Sequence, residues 1–304
     1  MSPRKPDADV PPGLLVVDKQ PGMTSHDVVA IARRVLSVRK VGHAGTLDPM
    51  ATGVLVLGVG TATRLLGYLS GNDKSYAATV RFGQTTVTDD REGEVLETTS
   101  AAHLADDDVR AALAAQTGPL QQVPSSVSAV KVDGVRSYDR VRAGEEFELA
   151  ARSVTVHALA VHGIRRPTAD LVDVDVDVTC STGTYIRAIA RDAGAALGVG
   201  GHLTALRRPR SGPLDEAVAR PVEEAAAALL AGGGTGFVPL TTAATAVFPE
   251  RRVTAAEAVD LGHGKRVAAT GAPGLHAAVD PDGRLVALVE DAGTTARVGV
   301  GFPA

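Results

Sequence analysis

Residues 171–179 read Leu-Val-Asp-Val-Asp-Val-Asp-Val-Thr, the strictest two-residue alternation in the chain. Side chains on a strand point to opposite faces in turn, so Val172, Val174, Val176 and Val178 share one face and Asp173, Asp175 and Asp177 the other. Such a segment must be a half-buried strand, and it requires a sheet with one apolar side covered. The three aspartates stand parallel instead of converging on an ion, so they are expected to face solvent and to hold no metal.

The surrounding pattern mixes α and β. Strand-like runs occupy residues 13–18, 53–59 and 76–82. Thr24 or Ser25 can cap a helix whose apolar stripe is Val28, Ile31, Ala32 and Val35. Residues 42–45 read as a glycine-containing loop. Further helices are expected over 104–115, 184–197 and 221–231, the second stopped by Gly198 and Gly200. Residues 232–236, Gly-Gly-Gly-Thr-Gly, mark a flexible connection near the end of the main domain. Beyond about Val247 the character changes. A short helix over 255–261 precedes strand-like runs at 277–279 and 284–289, which flank the turn Asp280-Pro281-Asp282-Gly283.

With 304 residues, 44% of them hydrophobic, the chain can bury a large core and a small second domain. No run approaches the roughly 18 apolar residues of a membrane span. Residues 1–12 are polar and Pro-rich, unlike the apolar core of a signal peptide, and read as a flexible tail. The single cysteine, Cys180, excludes an internal disulfide framework and a multi-cysteine zinc site, fits a reducing cytoplasm, and reads as a small buried residue. A net charge of −4 provides no basic coat, so a nucleic-acid site would need local clusters of Lys and Arg. One such cluster is Lys131, Arg136, Arg140 and Arg142 around Tyr138, which could equally be a solvated loop.

The segment richest in chemistry is Gly42-His43-Ala44-Gly45-Thr46-Leu47-Asp48-Pro49-Met50-Ala51-Thr52-Gly53. Its glycines and proline fix an irregular backbone around one carboxylate and one imidazole. Asp before Pro is also a turn former, so the residues alone leave Asp48 open between a turn and a catalytic role. No second His or Cys accompanies His43 at metal-ligand spacing. Residues 58–63, Gly-Val-Gly-Thr-Ala-Thr, follow a strand as a nucleotide-binding turn does. They lack the third glycine of the dinucleotide fingerprint and the Gly-Lys-Ser/Thr of a P-loop.

Together with Leu14-Leu15-Val16-Val17-Asp18-Lys19-Gln20-Pro21-Gly22-Met23-Thr24-Ser25, the Asp48 segment resembles the opening signature of the TruB family of pseudouridine synthases, whose motif aspartate is the essential catalytic group. Lys74-Ser75-Tyr76, continued by residues 83–89, resembles the second motif of that family. Gly183-Thr184-Tyr185-Ile186-Arg187, with residues 201–208, resembles the third. The order is the same, and the resemblance spans residues 14–208. One departure is Val127, where many members carry an aromatic residue.

The resemblance implies an α+β catalytic domain over 13–246, built on a mixed, mostly antiparallel sheet, and a small β-rich, PUA-like domain over 247–304 that binds RNA or caps the fold. It implies isomerisation of uridine to pseudouridine in the T loop of tRNA, at position 55, with Asp48 as the catalytic carboxylate. Arg187 would pair with Asp48, Tyr185 would lie beside it, Tyr76 would stack on the flipped base, His43 would contact substrate and Leu206 would pack near the base. Phosphate contacts are expected from Lys19, Lys131, Arg136, Arg140 and Arg142. The partner would be the T stem-loop of tRNA, and the protein a cytoplasmic monomer with no obligate protein partner. Substrate and product are isomers, so no cofactor is required. The contrasting reading, a non-catalytic RNA-binding or RNA-folding protein on the same scaffold, predicts loss of the Asp, Tyr and Arg, all of which stand in this chain.

Overall fold

The computed structural model describes residues 9–125, 131–132, 135–136 and 149–303. Contacts divide the chain into two units, one of Met1–Pro49, Gly53–Ser70 and Ser211–Ala304, the other of Met50–Thr52 and Gly71–Arg210.

In the first unit the strand Gly13–Lys19 pairs antiparallel with Thr52–Val59 on one side and Phe237–Pro239 on the other. Val41–Ala44 adds to the Thr52–Val59 edge, with His43 opposite Leu57. Most of the stretch expected as a loop at 42–45 is therefore a short strand; four residues containing one Gly and one His are too few to show a period. The helix Ser25–Leu36 starts at Thr24 in a reciprocal capping box. Thr24 Oγ1 accepts from Asp27 N at 3.1 Å, and Asp27 Oδ2 accepts from Thr24 N at 2.9 Å. Its buried face is Val28, Val29, Ala32 and Leu36, whereas Val35, expected in the stripe, is exposed.

Residues 58–63 form the close of a strand and the 3₁₀ turn Gly60–Leu65. A Cβ on Gly58 would stand 3.0 Å from the Ala62 carbonyl oxygen, so this glycine serves a tight backbone contact. Farther along, a five-stranded sheet runs in the order Glu250–Arg252, Leu275–Val279, Leu285–Ala292, Thr295–Gly301, Val267–Ala268. Only the Glu250–Arg252 ladder is parallel. Ala277, Leu285, Leu288 and Phe302 of this region share one apolar cluster with Leu14, Val16, Val54 and Val56.

The second unit is a sheet in the order Gly201–Ser211, Lys74–Phe82, Leu171–Cys180, Arg152–Thr168, Gly118–Gln122. Leu171–Cys180 is antiparallel to both neighbours. Val172, Val174, Val176 and Val178 are buried, each contributing about 2 kcal/mol by removal from water. The opposite face departs from the expectation of solvated aspartates. Asp173 is buried and takes both forks of the Arg81 guanidinium, Nε at 2.7 Å and Nη2 at 2.8 Å. Arg81 sits directly across the ladder from it. Asp175 accepts from Thr79 Oγ1 at 2.7 Å and from Arg165. Only Asp177, paired at 2.7 Å with the exposed His162, stands in the open as expected. The period located the face, but cross-strand arginines cover it.

Asp173→Ala is expected to cost about 2–3 kcal/mol, because it strips a partly buried guanidinium of its bidentate partner. Asp177→Ala should stay within about 0.5 kcal/mol, as for an exposed pair. Urea midpoints at constant m-value read both.

Candidate active site

In the first unit Asp48 is half-buried on an irregular segment whose flanks are both tied down. On its N-terminal side the buried Ser25 hydroxyl donates to Leu47 O at 3.1 Å and accepts from Leu47 N at 2.9 Å. On its C-terminal side Pro49 O accepts from Gly22 N at 2.9 Å and from Lys19 Nζ at 3.1 Å. Leu47, Met50 and Ala51 sink into the interior as anchors. Gly45 and Gly53, with φ of 82° and 98°, make the left-handed turns that lead the chain in and out. Lys19, expected as a phosphate contact, is fully buried. It also donates to Gln20 O at 3.0 Å, and its place is that of a brace beneath the Asp48 segment.

His43 lies half-buried on the Val41–Ala44 strand. Its ring meets that of His26 edge to face, with centroids 5.3 Å apart and an interplanar angle of 81°. Arg33 Nη2 donates to Val41 O at 2.7 Å, tying the last turn of the Ser25–Leu36 helix to the strand that carries His43.

The second unit carries the other expected residues. Arg187 lies in the first turn of the helix Ile186–Ala196 and is buried. Its Nη1 donates to Thr88 O at 2.7 Å and lies 3.5 Å from Asp90 Oδ2. Asp90, itself buried, accepts from Thr88 Oγ1 at 2.5 Å and from Glu92 N at 3.0 Å. The helix is seated by glycine: a Cβ on Gly194 would fall 2.3 Å from the Gly201 nitrogen. At the start of that helix, Tyr185 is half-buried and its backbone is clasped by Gln122. Tyr185 N donates to Gln122 Oε1 at 2.7 Å and Gln122 Nε2 donates to Tyr185 O at 3.0 Å. Tyr76 lies on the buried face of Lys74–Phe82, opposite Val178, and Leu206 is buried on Gly201–Ser211. Lys131 and Arg136 are register partners in a two-stranded ladder. Val127, Tyr138, Arg140 and Arg142 lie outside the described residues.

Burial pushes the Lys74 ammonium down to about 8, with the Arg208 guanidinium adding to the effect. Burial pushes the Cys180 thiol up to about 11, against a hydrogen bond from Thr184 and the charge of Lys74. Cys180 is thus a protonated, buried side chain, as its lone position suggested.

Against known protein families, residues 33–186 match the TruB family pseudouridylate synthase N-terminal domain. Residues 187–232 match the tRNA pseudouridylate synthase B C-terminal domain, and 248–303 the tRNA pseudouridine synthase II C-terminal domain. The tRNA pseudouridine synthase B of Mycobacteroides abscessus is 56% identical over 282 residues, covering 93% of each chain. That of Thermobifida fusca is 55% identical over 92% of this chain and 94% of its own. The chain belongs to the TruB family. It is an enzyme, a pseudouridine synthase. A solved Cbf5-Nop10-Gar1 complex shares its fold at TM-score 0.70 and 26% identity, with 96% of this chain and 85% of that chain covered. An H/ACA RNP bound to a substrate RNA containing 2′-deoxyuridine matches at the same score, with 24% identity.

Among the TruB motif residues, sequence reasoning missed Asp90. It followed the second motif as far as Asp89 and stopped one residue short of the carboxylate that Arg187 faces. The signal was present as two successive acids, Asp89-Asp90, in a chain where a buried arginine needs an anion. Gln122 gave no signal, because an amide that clasps a backbone 63 residues away leaves no local pattern.

The sign of the thiol shift sets a pH effect. An unfolded cysteine loses its proton near 9 while the folded one keeps it to about 11, so the folded state binds more protons and stability falls across that window. Lys74 works in reverse: the folded state releases its proton near 8, the unfolded near 10.5, and stability rises between them. Cys180→Ala should remove the falling contribution alone, so its urea midpoint should climb more between pH 9 and 10.5 than that of the unmodified protein.

Proposed function

We propose that this chain isomerises the T-loop uridine of tRNA, at position 55, with Asp48 as the catalytic carboxylate. The observation that carries the reading is the Asp48 segment, whose two flanking residues are bound to Ser25, Gly22 and Lys19 so that the carboxylate is held in one place. A fixed carboxylate avoids the ordering cost at the moment of reaction. The tRNA pseudouridine synthase B relatives support tRNA as the substrate.

The reaction breaks the N1–C1′ bond, turns the uracil and rejoins it through C5, whose proton is then lost. Hydrolytic glycosidases use two carboxylates, one to protonate the leaving group and one to attack or activate water. Here the uracil leaves as an anion delocalised over two carbonyls and is itself the group that re-attacks, so one carboxylate suffices. Asp48 meets C1′ as a nucleophile, stabilises charge there, or removes the 2′ proton; all three need it ionised. In this reading Arg187, oriented by Thr88 O and Asp90, supplies the positive charge that favours that form. Tyr185 lines the same place, Tyr76 stacks on the flipped base, Leu206 packs against it, and His43 contacts the RNA.

Lys131, Arg136, Arg140 and Arg142 serve as phosphate contacts, residues 247–304 act as a PUA-like element, and a cytoplasmic monomer works on the T stem-loop without a cofactor. The shared cluster of Leu14 and Val16 with Ala277 and Leu288 supports a capping role for 247–304 as well.

With a T-stem-loop RNA, the wild type is expected to convert the loop uridine, and Asp48→Asn to lose about 10³-fold or more in kcat while still binding the RNA. Conversion by Asp48→Asn at the wild-type rate would refute the role of Asp48. An unmodified T-loop uridine with wild-type enzyme would refute the substrate. For binding, Arg136→Ala should lower the slope of log affinity against log salt by about 1, the signature of one lost phosphate contact.

A further inference from the structure

The second unit holds a carboxylate that the proposed chemistry does not use. Asp89 sits between Thr88, whose carbonyl receives Arg187, and Asp90, which faces the same guanidinium. Its φ of 56° lies in the left-handed region, uncommon for a residue other than glycine. The turn sends its side chain to a different set of partners. Asp89 Oδ2 accepts from the buried hydroxyl of Ser125 and lies 3.4 Å from Arg191 Nη1. Arg191 Nη2 donates to Val123 O at 2.8 Å, and its Nε to Asp192 Oδ1 at 2.8 Å. One residue earlier, Gln122 clasps the backbone of Tyr185. Gln122, Val123 and Ser125 are thus bound in succession to Tyr185, Arg191 and Asp89. The chain leaving Ser125 runs on to Lys131, Arg136, Arg140 and Arg142.

We propose that Asp89 is a positioning residue for RNA binding: with Arg191 it fastens the Val123 to Ser125 segment, the root of the basic stretch, to the loop that orients Arg187. This rests on the reading of residues 131–142 as phosphate contacts. The loop itself is secured without the Asp89 side chain. Asp89 O accepts from Leu203 N at 3.0 Å, Thr86 Oγ1 donates to Asp90 O at 2.8 Å, and Arg187 binds Thr88 O. Removing the Asp89 charge therefore loosens the root of the basic stretch and leaves the anchors of Arg187 in place. The consequence is a change in KM with little change in kcat. Burial raises the Asp89 carboxyl above its ordinary value, and Ser125, Arg191 and Arg187 offset only part of that rise.

Asp89→Asn isolates the charge, because asparagine also tolerates the left-handed conformation. On a T-stem-loop RNA it is expected to raise KM about fivefold, the scale of one ordinary net hydrogen bond, with kcat within about twofold. Arg191→Gln should do the same, and the double variant should be no worse than the worse single, since the two act as one unit. Ser125→Ala, with a milder loss, should shift KM in the same direction. An unchanged KM in Asp89→Asn, a fall in kcat at constant KM, or multiplicative effects in the double variant would overturn the proposal. If Asp89→Asn does not fold, a wild-type KM in Ser125→Ala overturns it as well. A wild type that leaves the T-loop uridine unmodified refutes the substrate reading and this proposal with it. A wild type that converts it, beside variants of normal KM, refutes this proposal alone.

Discussion

The hydroxyl of Ser25 donates to and accepts from the same residue, Leu47, and through that reciprocal pair it fixes the backbone entering Asp48. A single hydroxyl can do this only when it is buried and its own position is set. The capping box of Thr24 and Asp27 sets it, by fixing where the helix that begins with Ser25 starts. The other flank depends on a similar economy. Pro49 has no amide hydrogen to give, so its carbonyl is the group that can be held, and Gly22 N and Lys19 Nζ both reach it. The first motif of the TruB family, residues 14–25, thus does structural work for the second stretch, residues 42–53. This explains in physical terms why the two occur together in one chain.

Much of this could be read from the sequence, and the failures share a cause. The alternation over 171–179 located a strand and its buried face, and the helices at 25–36 and 186–196 follow from caps and glycine stops. Asp173 and Lys19 were misplaced, because a charged residue reads as exposed until its partner is known. Arg81, the partner of Asp173, stands 92 residues away, and Pro49, the partner of Lys19, stands 30 away. Neither pairing produces a local pattern. The strand at 41–44 escaped for a different reason: its pairing with Thr52–Val59 is a tertiary choice that four residues cannot announce. The catalytic role proposed for Asp48 was legible only through the family motif, since Asp before Pro is as ordinary in a turn as in an active site.

Asp90, Asp89 and Asp48 differ in what surrounds them, and the differences sort their roles. Asp90 is buried, bonded to Thr88 and Glu92, and faces Arg187; every feature favours a fixed anion that orients a cation. Asp89 is desolvated enough for its carboxyl to be raised, and its partners Ser125 and Arg191 belong to a segment that it secures. Asp48 is half-buried on a segment held through its neighbours' backbones. That arrangement suits a reacting group. Fixing it through flanking peptide bonds sets the position of the carboxylate by its own backbone, so that little ordering cost remains at the moment of reaction.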